Sequence, residues 1–223
     1  MTDNKEKQRE ALELAIAQEK FAILLEERTQ ATTSTAKSLL EFKEELRKVQ
    51  DRALEDEENF LYFLDTDITD KSARKLIKKL NAWKRASPEE ITIVINSLGG
   101  DCGSGFAIVD TILELRSAGI NVNGVVRGTA QSMAATILQS VSTRSIGPNS
   151  CIMLHEGSLS SWGTPGQVND HLSLMSLFMD RALDLLAERS TLPRAEIKKR
   201  WERRDWYLNA KEAKKFGFVD RIG

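Results

Sequence analysis

An α/β fold with a largely parallel sheet is what this chain predicts, and three observations predict it. From residue 59 onward, short apolar runs of strand length alternate with amphipathic helical stretches. Its four prolines fall between these runs or at the start of a helix, never inside one. The first third of the chain has a different composition, with no proline before Pro88 and no glycine before Gly99.

Taken in order, Asn59-Phe-Leu-Tyr-Phe-Leu64 reads as a buried strand. Asp70 to Trp83 reads as an amphipathic helix capped by Asp70. Ile91-Thr-Ile-Val-Ile95 is a second strand, followed by Asn96-Ser-Leu-Gly99-Gly100 and a helix from about Ser104 to Ala118. Asn121 to Arg127 is a third strand, which leads into a helix opening near Ser132. Arg144-Ser-Ile-Gly and Cys151-Ile-Met-Leu154 are short strands flanking a Pro148-Asn turn. A long helix over about Gly166 to Arg189 and a shorter one over Pro193 to Arg203 precede Asp205.

Residues 1–57 are expected to form a charged helical extension, and residues 58–223 the α/β domain. Segments 5–28 and 37–57 are rich in Glu, Lys, Arg, Ala and Leu, all good helix formers. Leu14, Ala17, Phe21 and Leu24 recur at helical spacing, as do Leu39, Phe42, Leu46, Val49 and Ala53. The second stripe alternates steps of three and four but lasts only about two heptads, short of the three or four that mark a coiled coil. A hairpin packed on its own domain or subunit neighbour, and an arm that binds a partner, both fit this pattern.

The 223 residues carry a formal net charge of −1, so no basic excess points to nucleic acid or an anionic membrane. The two cysteines, Cys102 and Cys151, are too scattered for a metal motif and read as small buried residues in a reducing compartment. No metal and no organic cofactor is expected. The start lacks the apolar stretch of a signal peptide and no later run is long enough for a bilayer. A soluble, cytoplasmic protein is therefore expected.

Chemistry concentrates at three positions. Ser132, in Gly128-Thr-Ala-Gln-Ser-Met-Ala-Ala135, opens a helix directly after a strand. There backbone N–H groups and the helix dipole favour developing negative charge. The same serine could equally be a helix N-terminal residue that satisfies backbone donors. His155 follows the apolar run Ile152-Met-Leu154, at a strand end, whereas the only other histidine, His171, lies inside the long helix and is expected to face solvent or a packing seam. Asp205, in Arg203-Arg204-Asp205-Trp206-Tyr207, could orient an imidazole or form a surface ion pair with Arg204. Gly99-Gly100 permits close approach of backbone to a substrate, so the amides of Gly100 and Met133 could form a two-donor oxyanion pocket. Gly-Gly could also be a plain strand-to-helix turn. No Gly-Lys-Ser/Thr follows it, which excludes a nucleotide loop of that type.

Several motifs occur in order: Ile95-Asn-Ser-Leu-Gly-Gly100, Gly128 to Ala135, Gly147-Pro-Asn-Ser150, Ile152-Met-Leu-His155, and Arg204-Asp-Trp-Tyr-Leu-Asn-Ala210. Lys211-Glu-Ala213 to Phe216-Gly-Phe-Val-Asp220 closes the chain. From about residue 58 to the C-terminus the sequence resembles the proteolytic subunit of the Clp protease, the ClpP serine peptidase family. The resemblance implies a crotonase-like fold of repeated β-β-α units, with Ser132 as nucleophile, His155 as general base and Asp205 as orienting acid. Gly100 and Met133 would supply oxyanion N–H groups. It further implies homo-oligomeric heptameric rings stacked through the long helix, polypeptide substrates cleaved inside the chamber, and feeding by an AAA+ unfoldase. Arg204 matches a position that couples catalytic geometry to ring–ring contact.

The chain departs from the family pattern at Leu98, where proline usually precedes Gly-Gly, and at Glu156-Gly157, where Gln-Pro usually follows the histidine. Its charged N-terminal segment replaces a short pore-loop segment. Arm-bearing relatives also occur in phage genomes as head-maturation proteases. Two rival readings use the same fold: a crotonase-type thioester enzyme, which needs no Ser-His-Asp set, and a ring-forming scaffold with weak proteolysis.

Overall fold

The computed structural model describes residues 17–18, 41–47 and 58–223. The chain divides into two compact units, Met1–Leu54 and Glu55–Gly223. In the first, positions 17–18 and 41–47 are helical and exposed. The remainder of the two helices expected over 5–28 and 37–57, with the intervening polar stretch, lies outside the described residues.

The second unit holds one seven-stranded sheet. Strands β1 (Leu61–Leu64), β2 (Glu90–Ser97), β3 (Asn121–Gln131), β4 (Thr143–Ile146) and β7 (Arg221–Ile222) follow in that spatial order, each pairing parallel with its neighbour. β5 (Cys151–Leu154) pairs parallel with β3 and antiparallel with β6 (Trp206–Asn209). The mixed α/β architecture with a mostly parallel sheet is the predicted fold class. Ile91, Ile93 and Ile95 are fully buried and Thr92 and Val94 half-buried between them. A strand covered on both faces reads as such a near-continuous apolar run.

Six helices connect these strands: α1 (Asp70–Ala86), α2 (Cys102–Ser117), α3 (Met133–Ser140), α4 (Pro165–Glu188), α5 (Arg194–Trp201) and α6 (Ala210–Lys215). α1 packs on α2, α2 on α3, α3 on α4 and α4 on α5, while α6 lies against β5, β6 and β7. Within α4 the buried residues are Ala182, Leu183 and Leu186, all near its C-terminal end. Leu172, Leu174 and Leu177 are about half exposed further forward.

Several boundaries differ from expectation for definable reasons. β1 starts at Leu61 rather than Asn59, because Phe60 takes a positive φ of 51° and breaks the extended run. α1 is capped by Thr69, not Asp70: Thr69 Oγ1 accepts from the Ser72 amide and Ser72 Oγ accepts from the Thr69 amide. Asp70 instead pairs with Arg74 one turn on, at 2.8 Å. Asp101 caps α2 by accepting from the Ser104 amide at 2.7 Å, so that helix starts two residues before the expected position. β3 runs four residues beyond Arg127. It exchanges its partner β4 for β5 across Gly128, whose φ is +96°, and so continues to the residue before Ser132.

A charged network fastens the end of the chain. Arg144 is 2% exposed and donates to Asp220 Oδ1 at 2.6 Å and to Gln139 Oε1 at 2.6 Å. Its backbone amide also donates to Asp220 Oδ2, at 2.7 Å. Arg189, just past α4, donates to the same carboxylate and to the carbonyls of Val141 and Ser142. Burial alone would raise the Asp220 carboxyl. The hydrogen bonds and charges of Arg144, with the charge of Arg189, outweigh it and hold the group below the ordinary carboxylate range.

Candidate active site

The turn from β3 into α3 carries Ser132 at φ 51° and ψ −122°, a conformation L residues rarely adopt. Its Oγ makes no capping bond to the helix backbone. It lies instead 2.8 Å from His155 Nε2. The serine therefore does not act as a side-chain cap in this structure.

His155 emerges from the end of β5 and Asp205 immediately precedes β6. The antiparallel ladder ends with Leu154 opposite Trp206, and the next residue on each side, His155 and Asp205, continues that register just beyond the ladder. His155 Nδ1 lies 3.2 Å from Asp205 Oδ1. With Nε2 facing Ser132, the arrangement matches an imidazole that carries its proton on Nδ1 and accepts at Nε2. Asp205 makes this contact with His155 and, among the described residues, forms no ion pair with Arg204. Its side chain is 52% exposed and that of His155 is 26% exposed.

Gly99 and Gly100 bring backbone against this turn. A Cβ on Gly99, at φ +94°, would meet Ser132 Cβ at 2.8 Å and the Met133 nitrogen at 3.0 Å. A Cβ on Gly100, at φ +143°, would lie 2.2 Å from the Ile68 carbonyl oxygen. Only glycine tolerates both the dihedrals and the contacts. The flanking groups are tied down: the Ile68 amide donates to the Gly99 carbonyl and the Asp101 amide to the Ile68 carbonyl. Among the described residues, no acceptor takes the amide of Gly100 or of Met133.

These residues border a cleft of about 630 Å³ whose walls include Leu98, Gly100, Cys102, Ser132, His155, Leu174, Met175 and Phe178. Sequence reasoning missed two of its features. His171, expected at solvent or a packing seam, is exposed but also borders this cleft, with Nδ1 2.6 Å from Ser161 Oγ. Cys102, expected to be buried, is half-exposed there, and burial together with the Asp101 charge pushes its thiol up. No local pattern marks either residue, since α4 folds back over the cleft only in the tertiary structure.

The model of the Clp protease family matches residues 41–223. This chain belongs to the Clp protease family. Three curated relatives show the extent of the similarity, each named ATP-dependent Clp protease proteolytic subunit 1. The protein of Chlamydia caviae is 36% identical over 183 residues, covering 79% of this chain and 92% of the relative. That of Chlamydia pneumoniae is 36% identical over 166 residues, covering 72% and 84%. That of Chlamydia muridarum is 34% identical over 188 residues, covering 82% and 94%. The Clp protease family match thus takes in every strand of the sheet and the residues around Ser132. Among the described residues, no helix is long and apolar enough to cross a membrane.

Proposed function

We propose that this Clp protease family member is a serine endopeptidase that hydrolyses peptide bonds of unfolded proteins inside a homo-oligomeric ring chamber fed by an AAA+ ATPase. The observation that carries the reading is the hydrogen-bonded chain Ser132–His155–Asp205, with Ser132 on a sharp strand-to-helix turn. The relatives' name, proteolytic subunit of an ATP-dependent protease, supports the same activity and a dependence on an ATPase.

In this mechanism Ser132 Oγ attacks the substrate carbonyl carbon as His155 Nε2 takes the hydroxyl proton. Asp205 holds Nδ1–H and stabilises the imidazolium that forms. The carbonyl oxygen becomes an oxyanion and accepts from the Gly100 and Met133 amides, donors of a type that contribute about 3–4 kcal/mol each to the transition state. Collapse breaks the C–N bond, and the leaving amine takes the proton from His155. Water then enters, gives a proton to His155, and its oxygen attacks the acyl carbon. The acid is released and Ser132 recovers its proton. The hydrogen-bonded set of three side chains favours this reading over the crotonase-type enzyme and the weakly proteolytic ring-forming scaffold.

Residues 1–57 stand in this proposal as a separate charged extension that caps the pore or binds a partner. Its removal should change degradation of an unfolded protein or the binding of that partner; unchanged values for both would refute the role. The enzymatic proposal is tested by fluorophosphonate labelling beside Ser132→Ala, read by intact mass. One adduct on the parent and none on the variant is expected. A parent ring that takes no adduct would remove Ser132 from the nucleophile's role.

A further inference from the structure

β5 and β6 stop pairing at Leu154 and Trp206, one rung before His155 and Asp205. The two side chains that must stay in register therefore project from strand ends beyond the ladder. Backbone pairing no longer holds those ends together. The structure replaces the missing rung with a side chain. Glu156 Oε1 accepts from the Arg203 backbone amide at 3.0 Å and so ties the residue after His155 to the segment that leads into Asp205.

Both ends of this tie are conformationally particular. Arg203 has φ +57°, in the left-handed region, at the turn between α5 and β6. A charged acceptor on its amide stabilises that turn more strongly than a neutral one would. On the other side, Gly157 lies against α4: its amide is 2.9 Å from Met179 Sδ, and a Cβ there would meet Met179 Cε at 2.9 Å. The chain leaving β5 is thus held by α4 through Gly157 and by the Asp205 segment through Glu156.

We infer that Glu156 is a positioning residue, whose carboxylate fixes the separation of His155 and Asp205 by holding the Arg203 turn. Glu156 is exposed, touches neither Ser132 nor His155 through a hydrogen bond, and acts through backbone alone. The inference rests on the triad proposed above. It gives a function to one of the residues at which this sequence departs from the family's usual pattern.

The test compares Glu156→Ala and Glu156→Gln in the full-length protein, using a fluorogenic peptide and the rate of fluorophosphonate labelling. Glutamine keeps an acceptor oxygen and alanine removes it. Glu156→Ala is expected to lower kcat and the labelling rate about tenfold, the effect of one charge-assisted hydrogen bond, with KM changed less than about twofold. Glu156→Gln should restore kcat to within about threefold of the parent, because the amide keeps its partner. Parental kcat in Glu156→Ala would overturn the inference. So would equal losses in both variants, since charge rather than the hydrogen bond would then be acting. A rise in KM that matches the fall in kcat/KM would make Glu156 a substrate contact instead and overturn it too. A parent protein that does not label at Ser132 would overturn the triad itself, an outcome distinct from all three.

Discussion

Replacing Asp205 with asparagine probes the half-exposed end of the proposed triad most directly. The substitution keeps shape but removes the charge that, in the proposed mechanism, would face the imidazolium formed during attack. Across the 3.2 Å contact, Coulomb's law gives about 5 kcal/mol at an effective dielectric of ~20 and about 1.3 kcal/mol in bulk water. With Asp205 52% exposed and His155 26% exposed, the contact lies between these limits, at about 2–4 kcal/mol. At 1.36 kcal/mol per factor of ten, kcat should fall by about 30- to 1000-fold. A buried triad aspartate loses about 10⁴-fold on the same change, so exposure predicts a smaller deficit. The assay is kcat and KM on a fluorogenic peptide, with the melting temperature measured alongside. A loss below about fivefold would show that Asp205 does not stabilise the imidazolium. A loss of about 10⁴ would refute the argument from exposure, because the acid would then be shielded in the working enzyme.

Three further outcomes are expected. Gly99→Ala places a Cβ 2.8 Å from Ser132 Cβ at a φ of +94°, so kcat should drop by at least about 100-fold, an outcome that parental peptide turnover would contradict. Gly105→Ala on α2 places a Cβ 2.2 Å from Met133 Cγ; overpacking there should cost about 1–3 kcal/mol, measured by urea unfolding, and lower the labelling rate of the adjacent serine. Because the Asp220 carboxyl is depressed in the folded state, its contribution to stability is present above the unfolded value near 3.9 and is lost as pH falls through the lower folded value. Asp220→Ala should accordingly destabilise the protein by on the order of 3 kcal/mol at pH 7, since it leaves the buried Arg144 unpaired. The parent–variant gap should narrow toward pH 3, and a gap independent of pH in thermal melts would count against the network's charge.

Local pattern carried much of the architecture. The alternation of strand and helix after residue 59, the apolar run over Ile91–Ile95 and the strand Cys151–Leu154 are visible because burial on a sheet imposes them residue by residue. Caps and ends were less legible. Thr69 displaced Asp70 because a reciprocal pair with Ser72 satisfies two backbone donors at once. β3 continued through Gly128 because β5 was waiting as a second partner, and no local pattern encodes a partner 22 residues away. The Arg144–Asp220–Arg189 network was invisible for the same reason.

By itself, then, the sequence determined the fold class and a short set of chemically suitable residues: Ser132 at a helix mouth, His155 at a strand end, Asp205 before a strand, and Gly99-Gly100 at a turn. What it left open was between a capping serine and an engaged one, and between an Asp205 that pairs with Arg204 and one that orients His155. Only the tertiary structure decided those contacts. The β5–β6 register, continued just beyond the ladder, brings His155 to Asp205, and the strained turn at Ser132 directs its hydroxyl toward the imidazole rather than toward α3. Residue type and local periodicity constrain what a side chain can do, but its partner is chosen by strand register and backbone close approach across long separations in the chain.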